Sequence, residues 1–564
     1  MAAQPQIFGS DKEACPGASP SLRGPEAEHQ AAGHDASTTT TVPQTSAGTD
    51  TRAVSVFSRN VILAALGLAV FVSSLDATIV ATLVPTLTDE FRSVNSVGWY
   101  GTAYLLVSGA TQPSWGKLYA TFRPKLVFLV SLALLEAGSL ICALAKNSPT
   151  FIGGRAVAGL GSAGIIAGAL IITALVVPLH LRPIYMGVIG SLEGVSLVTG
   201  PVIGGAIVDR IGWRWAFWIN LPIGAALGAA LVLLFHPPRS ASNTTAQQSK
   251  TILYRLKQID VLGGMAIAGS LTCLFLALEW GGSDYAWSSG RIIALLVVFG
   301  VSFTLVGVHQ YWRGDEATFP VRLLKNTSFV GWLVGGFCFS SAQYVVLFYL
   351  PLWFQAVNGL SPLQSGIQTL AMVIPVICVA LAAGAGVSAV GYLAPFMMAA
   401  TILTCVGAGL LYTLTPGIAQ APLVGYQILF GSGSGMGVQQ AIVGSQADLD
   451  SSDAAYGTSA IMLVNTIGGA IFICVSQNIF MSDITRLADV LPGVNKNTLG
   501  SGFESVRKKL SPEELEVVIN GYNHGIQRVF LMVLVLCCLT VLIWPLLKWK
   551  SIKPEAKDGK NTTR

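Results

Sequence analysis

Four ionisable residues lie inside long apolar stretches of the sequence: Asp76, Glu136, Arg155 and Glu193. A charge at the centre of a membrane costs roughly 2.5 to 3.5 kcal/mol on insertion scales, so each of these residues is a candidate functional group. A desolvated carboxylate can take up and release a proton, and an arginine stays charged and can balance it. The pattern predicts proton coupling, with Asp76 and Arg155 as the principal pair and Glu136 and Glu193 as further sites. The alternative for each residue is a permanent structural hydrogen bond or ion pair.

The composition indicates a membrane protein. Of 564 residues, 52% are hydrophobic and only 11% are charged, and the mean hydropathy is +0.63, which is too apolar for a soluble chain of this size. The basic residues are scattered between apolar runs, which argues against a nucleic-acid surface. The nine cysteines form no CxxC pair, and the sequence has no GxxxxGK[ST] nucleotide-binding loop. We therefore expect neither an enzyme nor a bound cofactor or metal.

Apolar runs of roughly 20 residues, each long enough to cross a hydrocarbon layer of about 30 Å, recur about fourteen times. Basic residues are more frequent in alternate short loops, which predicts that both termini lie in the cytosol. The polar segment 1–58 is predicted to be a disordered cytosolic tail, and the segment 481–526 an outer loop in which Ser511 starts a short surface helix. The predicted spans lie near residues 61–83, 97–119, 125–145, 152–177, 185–208, 215–235, 260–280, 291–311, 328–350, 364–386, 392–414, 423–444, 457–479 and 527–547.

The fifth predicted span is rich in glycine and contains one proline. At about 100° per residue, Gly190, Gly194, Pro201 and Gly205 fall on one face, and Gly187 lies on the same face. A face without side chains lets a second helix approach closely, which is how helices associate in lipid. Pro201 is expected to bend the helix because it removes one backbone hydrogen bond.

This span and the turn after it carry a family resemblance. The segments around Asp76 and Arg155 resemble first-span and fourth-span motifs of the fourteen-span drug:proton antiporters of the major facilitator superfamily. In that family the arginine is assigned to proton coupling. The glycine-rich span is similar to the antiporter motif of major facilitator superfamily exporters at Gly194, Gly200, Pro201, Gly204 and Gly205. The turn resembles that of the fourteen-span drug:proton antiporters at Trp213, Arg214, Trp215, Phe217 and Asn220. Over nearly all of residues 60–545 the resemblance is closest to fungal exporters of toxins and secondary metabolites.

The resemblance implies an all-α polytopic membrane protein with the major facilitator fold. In that fold two six-helix bundles form parallel repeats, and the fourteen-span members add two extra central spans. The implied division is a cytosolic tail, an N-terminal bundle, a linker with two spans, a C-terminal bundle and a second cytosolic tail, at residues 1–58, 59–236, 237–327, 328–548 and 549–564.

The resemblance also assigns a gating loop between the second and third spans, with Gly116, Lys117, Arg123 and Lys125. The loop departs from the family pattern because Ala120 takes the place of its acidic residue. The sequence therefore predicts a basic loop facing the membrane surface, without the usual charge relay. In the second half, three uncharged polar residues within apolar spans are candidates for a substrate cavity, although bonding between helices explains them equally well: Gln343, Gln439 and Asn465.

The function implied by the resemblance is secondary active transport, in which a small organic compound such as a toxin, drug or secondary metabolite leaves in exchange for protons. The partners are that substrate, protons and the lipid bilayer, with no nucleic acid, and a monomer suffices for the fold. The plasma membrane is the expected location, and the vacuolar membrane stays open. Two alternatives remain: a vacuolar basic amino acid or iron-chelate transporter of the same fold, and a non-transporting membrane sensor.

Overall fold

The computed structural model describes residues 56–91, 97–235, 260–282, 285–450, 453–490 and 511–553. The predicted tails and linker fall largely at residues 1–55, 236–259 and 554–564, which lie outside the described part. The described residues form fourteen long helices and no β-sheet. The helices are α1 (Val56–Phe91), α2 (Val97–Thr121), α3 (Pro124–Leu144), α4 (Ser148–Val176), α5 (Arg182–Ile211), α6 (Asn220–Leu234), α7 (Val261–Trp280), α8 (Gly290–Arg313), α9 (Thr327–Ala356), α10 (Pro362–Val390), α11 (Ala394–Tyr412), α12 (Gln420–Ala447), α13 (Ala454–Val490) and α14 (Pro512–Leu539).

Short helical pieces occupy several connections between these helices. Most of them begin after a proline or run through one, and proline favours such starts because it has no N–H to leave unpaired. A single helical turn precedes α6, and 3-10 helices occur before α5, between α8 and α9, and after α14. The short pieces are Trp215–Trp218, Leu179–Leu181, Gly314–Glu316, Val321–Lys325 and Thr540–Leu546.

Eleven of the described helices are long and apolar enough to cross a membrane. The three others are α2, α5 and α12, which carry many glycines and polar residues. A membrane helix tolerates such residues when it packs inside the protein instead of facing lipid. Accordingly, nearly every residue of α12 between Phe430 and Ala447 is buried. The glycine-rich stretch in α12 is part of one unbroken helix.

The helices pack as two bundles with the same internal pattern. In the first bundle α1 packs on α5, α2 on α4, and α3 on both α4 and α6. In the second, α9 packs on α13, α10 on α12, and α11 on both α12 and α14. The remaining helices, α7 and α8, pack on each other, and α7 also contacts α2 and α13. This arrangement confirms the predicted fold class of two six-helix bundles with an inserted pair of helices.

Close approach of helices in the first bundle depends on glycine. A Cβ added at Gly138 of α3 would collide with the backbone of Ala158 on α4, and one added at Gly161 of α4 would collide with the backbone of Leu135 on α3. The two backbones therefore touch directly. Contact at this distance maximises dispersion attraction, which replaces the hydrophobic drive that helices lack in lipid.

The two ends of the protein differ in character. One end, where α1, α3 and α5 begin, carries Lys117, Lys125, Arg182 and Arg322, and we call it the basic end. The other, where α1 ends, we call the opposite end. Every long helix runs between these two ends, so consecutive helices alternate in direction.

Two predicted loops are shorter than the sequence indicated. Gly116 and Lys117 belong to α2, and Lys125 belongs to α3, because only two residues separate the end of α2 from Pro124, which starts the next helix. The predicted outer loop 481–526 is helical at both ends, since α13 continues to Val490 and α14 begins at Pro512. Ser511 and Glu514 form a reciprocal capping box, as predicted from their spacing. That box starts the last long helix itself, so the predicted separate surface helix is wrong.

Candidate functional site

The predicted pair of Asp76 and Arg155 meets inside the first bundle. Arg155 Nη1 on α4 donates to Asp76 Oδ2 on α1 across 2.6 Å, and the two side chains are 1% and 0% exposed. Arg155 Nε also donates to the carbonyl of Tyr100 at 3.1 Å. Its guanidinium lies over the ring of Tyr104, 4.4 Å from the ring centre. The arginine is thus held by an ion pair, a hydrogen bond and a cation–π contact.

Asn220 is a member of this cluster that the sequence analysis did not single out for a role. Its Nδ2 donates to Asp76 Oδ1 at 3.0 Å and to Ser139 Oγ at 3.1 Å. Asn220 is the first residue of α6 and is buried. A buried amide at the start of an apolar helix is a detectable signal in the sequence, because burying it unpaired is costly. Its partner on α1 was not readable from the sequence.

A second set of hydrogen bonds joins α1 to α4 and α2, one helical turn before Asp76. Ser73 donates to Ser162 at 2.6 Å, and the hydroxyl of Tyr104 donates to the carbonyl of Ser73 at 2.8 Å. These bonds tie α1 to α4 and α2 beside the ion pair. A buried ion pair offsets its desolvation cost only when such further bonds satisfy its surroundings. Within the described part, Arg155 Nη2 is the remaining donor of this pair without a hydrogen-bond partner.

Glu136 lies on α3, three residues before Ser139. Both of its carboxyl oxygens are buried and have no hydrogen-bond partner in the described residues. Gly224 of α6 leaves the space that the carboxyl group occupies. An unpaired carboxyl group at such a place costs far less as the neutral acid than as the anion. Glu136 therefore neighbours the Asp76 cluster without joining its hydrogen bonds.

Glu193 is not part of this cluster. It is half-buried on α5 and makes no hydrogen bond or ion pair with Asp76 or Arg155. The next residue along α5, Gly194, faces Ile377 on α10, in the other bundle. The structure therefore separates the four predicted sites into a cluster with Asp76, Arg155 and nearby Glu136, and a distinct position at the boundary between the bundles.

The first half of α5 packs against the second bundle. The glycines on this half were predicted to admit a second helix, and they do so against α10 and α12. The neighbours that a Cβ at each glycine would meet are Ala380 for Gly187 (3.1 Å), Gln439 for Gly190 (3.2 Å) and Ile377 for Gly194 (3.1 Å).

The second half of α5 turns to a different partner. A Cβ at Gly200 would collide with Thr78, and one at Gly204 would collide with Thr82, both on α1. Gly205 has open space beside it, with no atom within 4 Å. On the predicted glycine face, the residues up to Gly194 thus meet the second bundle and Gly205 meets no neighbour, whereas Gly200 and Gly204, which lie off that face, pack on α1. The side chain of Pro201 lies outside those that the structure describes.

The three predicted cavity residues lie at different places in the structure. Asn465 on α13 is placed to donate to the carbonyl of Gly336 at 3.0 Å and to Ser340 at 3.1 Å, both on α9. It joins helices within the second bundle, as the structural alternative predicted. Gln439 faces α5 across the boundary between the bundles, and its Nε2 has no partner in the described residues. Gln343 is half-buried on α9.

The predicted gating residues do not form a membrane-facing loop. Lys117 is buried at 5% exposure, and only Arg123 of the four predicted residues is exposed. Gly116 packs so closely on α13 that a Cβ would collide with Ser459. Lys125 donates to the carbonyl of Val232 on α6, within the first bundle, at 2.7 Å. The prediction of a basic, membrane-facing loop is therefore wrong for Gly116, Lys117 and Lys125, because these residues lie within helices.

The comparisons with known proteins decide the family. The sequence profile of the Major Facilitator Superfamily matches residues 66–473. The chain belongs to the major facilitator superfamily. "Efflux pump apf11" of Gibberella fujikuroi is 57% identical to this facilitator over 511 residues, which are 90% of this chain and 91% of the relative. "MFS-type transporter TOXA" of Cochliobolus carbonum is 52% identical over 510 residues, which are 90% of this chain and 92% of the relative.

Solved structures agree on the fold. The human organic anion transporter MFSD10 (TETRAN) matches this facilitator with a TM-score of 0.55 at 13% identity, over 85% of this chain and 99% of the other. At that identity the match concerns the fold alone. Together with the many apolar helices, membership of the family makes this facilitator a multi-pass membrane transporter of small molecules rather than an enzyme.

Proposed function

We propose that this facilitator is a proton-driven antiporter that exports a small organic compound, with Asp76 and Arg155 as the coupling pair. The observation that supports this most strongly is the fully buried ion pair of 2.6 Å between them. A titratable group with a specific charge partner inside a transporter core is a candidate site of proton exchange.

The coupling follows from the charges of the pair. While Asp76 is ionised, its attraction for Arg155 holds α1 to α4. When Asp76 takes up a proton, the attraction falls to that of a neutral hydrogen bond, and the charge of Arg155 is left without a counterion. A conformation that hydrates Arg155 then becomes more favourable. A proton can drive a conformational change in this way because the two states bind it with different affinity.

The alternative of a vacuolar basic amino acid carrier predicts cavity carboxylates in both halves of the protein. Helices α9 to α12 contain no aspartate and no glutamate. This composition favours export of a neutral or weakly polar organic compound over transport of a dibasic one. We further propose that the basic end faces the cytosol, in line with the positive-inside rule, and that the protein works in the plasma membrane.

The experiment uses inside-out vesicles with an acidic lumen that contain the full-length protein. Proton release from the lumen is followed after addition of a set of hydrophobic fungal metabolites or of basic amino acids. Asp76→Asn is compared with Asp483→Asn, which also removes the partner of an arginine, since Asp483 on α13 pairs with Arg528 on α14 at 2.7 Å.

The proposal expects proton release driven by metabolites in the parent and in Asp483→Asn, and none in Asp76→Asn. Release driven only by basic amino acids would favour the vacuolar alternative. Absence of substrate-driven proton release in the parent would contradict proton antiport itself. Unchanged release in Asp76→Asn would exclude Asp76 as the coupling residue.

A further inference from the structure

Lys117 is a buried lysine whose partners are backbone carbonyl groups. Its Nζ donates to the carbonyl oxygens of Glu316 and Ala317 at 2.9 and 3.0 Å. The ammonium group also lies 5.5 Å from the centre of the Tyr456 ring on α13. One side chain of the first bundle thus touches the second bundle and the segment that follows the inserted helices. We call that segment, residues 314–326 between α8 and α9, the connector.

The connector is fixed to the inserted helices α7 and α8. Gln310 on α8 accepts a hydrogen bond from the backbone N–H of Phe319 at 2.9 Å and donates to Asp260 Oδ2 at 3.0 Å. Asp260 caps α7 by accepting from the N–H of Gly263 and contacts His309 at 2.9 Å. The buried carboxylate of Asp260 therefore holds both inserted helices and the connector together.

The connector is also fixed to the second bundle. Arg322 makes two hydrogen bonds, of 2.8 and 2.9 Å, with the buried carboxylate of Asp453. Paired bonds of this type set the geometry of both groups. Asp453 immediately precedes α13, and its carbonyl accepts the N–H of Gly457 in the first turn of that helix. A movement of α13 at the basic end therefore moves the connector with it.

Lys117 and Gly116 lie where α2 and α13 are closest at the basic end. If the two bundles separate there, Gly116 must leave Ser459, and Lys117 must either leave the connector or pull it away from Asp453. Either change leaves a charged donor or its acceptors unpaired. We propose that Lys117, acting through the connector, is a positioning residue that holds the basic end closed and brings the inserted helices into the transport cycle.

The contacts of Lys117 with the connector take the place of an interaction that the sequence of the gating loop lacks. Ala120 occupies the position at which the gating motif normally has an acidic residue, so a charge relay of the usual kind cannot form there. The acceptors of Lys117 come instead from the connector, a segment attached to the two extra helices. The proposal requires only the transport function and does not depend on proton coupling.

The test measures the distance between the bundles at each end in purified full-length protein in lipid nanodiscs. Pulsed electron spin resonance reports distances between spin labels on exposed positions. One pair, Asn60→Cys and Asp450→Cys, spans the basic end, and another, Lys146→Cys and Thr415→Cys, spans the opposite end. The exposed Cys378 and Cys538 are replaced by alanine so that they take up no label, and Cys15, outside the described residues, is replaced as well.

Lys117→Met is compared with Lys125→Met as a matched control. Both lysines lie at the basic end and donate to backbone carbonyls, but the acceptor of Lys125 is Val232 within the same bundle. Loss of two charge-assisted hydrogen bonds should raise the population open at the basic end by at least about tenfold in Lys117→Met. The separation at the opposite end should shorten in parallel, and Lys125→Met should match the parent.

A second variant keeps the test decisive if Lys117→Met does not fold. Asp453→Asn breaks the connector from the second bundle and should give the same shift toward opening at the basic end. Unchanged distances in both Lys117→Met and Asp453→Asn would overturn the proposal. An equal shift in Lys125→Met would also overturn it, because the effect would then follow from loss of charge at the basic end.

Discussion

Asn220 donates a 3.0 Å hydrogen bond to the carboxylate oxygen of Asp76 that Arg155 leaves free, so the carboxylate is held from α4 and α6 at once. This relationship predicts that Asn220 affects export without being charged. Asn220→Ala should lower the export rate about tenfold, the effect expected for one hydrogen bond to a charged group. Transport assays in vesicles measure it.

The matched control for this substitution is Asn523→Ala in the second bundle. Asn523 is also buried and also makes two hydrogen bonds, one with Trp353 and one with the carbonyl of Leu414. Its removal should lower the apparent thermal midpoint without selectively lowering substrate-driven proton release. Equal losses of export in the two variants, in proportion to their stability, would show that Asn220 has only a structural role.

Glu136 offers a test of a second proton site. Because both carboxyl oxygens are buried without a partner, Glu136→Gln breaks no hydrogen bond and keeps the shape of the side chain. It should leave the thermal midpoint within about 1 °C of the parent, a change of about 1 kcal/mol for a chain of this size. If Glu136 carries a proton in each cycle, the ratio of protons to substrate should fall in this variant. An unchanged ratio would assign Glu136 a structural role.

Two neighbouring glycines of the antiporter motif should differ in their tolerance of alanine. Gly204→Ala would force a methyl group against Thr82 and Ile79, and we expect a loss of about 1 to 3 kcal/mol from overpacking. Gly205→Ala enters open space and should be neutral or stabilise α5 by up to about 1 kcal/mol through helix propensity. Thermal unfolding in detergent and export activity measure both effects. The reverse order would contradict the packing of α5 on α1.

The opposite end contains a carboxylate with a predicted pH dependence. Arg214 donates to Glu90 at 2.8 Å and Trp213 donates to it at 2.6 Å. The hydrogen bond from Arg214 lowers the pKa of Glu90 below its ordinary value, and the bond from Trp213 lowers it further. Partial burial acts in the opposite direction but has a smaller effect than the bond from Arg214. A lowered pKa means that the stabilisation is fully present above the ordinary value of about 4.3 and is lost as the pH falls through the lower folded value.

This dependence is measured as the difference in apparent thermal midpoint between the parent and Glu90→Gln. The difference should stay constant from about pH 8 to about pH 5 and shrink below about pH 4, where Glu90 becomes protonated in the folded protein. A difference that grows as the pH falls would contradict the assigned sign.

The sequence by itself determined the class and the plan of this protein. Long apolar runs specify membrane helices because each run satisfies its own backbone hydrogen bonds, a requirement that is local to the run. The cost of a charge in lipid is equally local, which is why Asp76, Glu136, Arg155 and Glu193 stood out, and the family resemblance then favoured Asp76 and Arg155 as a pair. The capping box at Ser511 was readable for the same reason, although it starts a longer helix than expected.

Only the tertiary structure decided which helix each face meets. The glycines of α5 contact two different partners. Asn220 donates to Asp76, which lies 144 positions away in the sequence, and Lys117 donates to carbonyl groups about 200 positions away. Helical periodicity places residues on a common face but contains no information about the neighbour of that face. The neighbour depends on how all fourteen helices pack together. In lipid, burial of apolar surface does not select the arrangement of helices, and close contact and paired polar groups do.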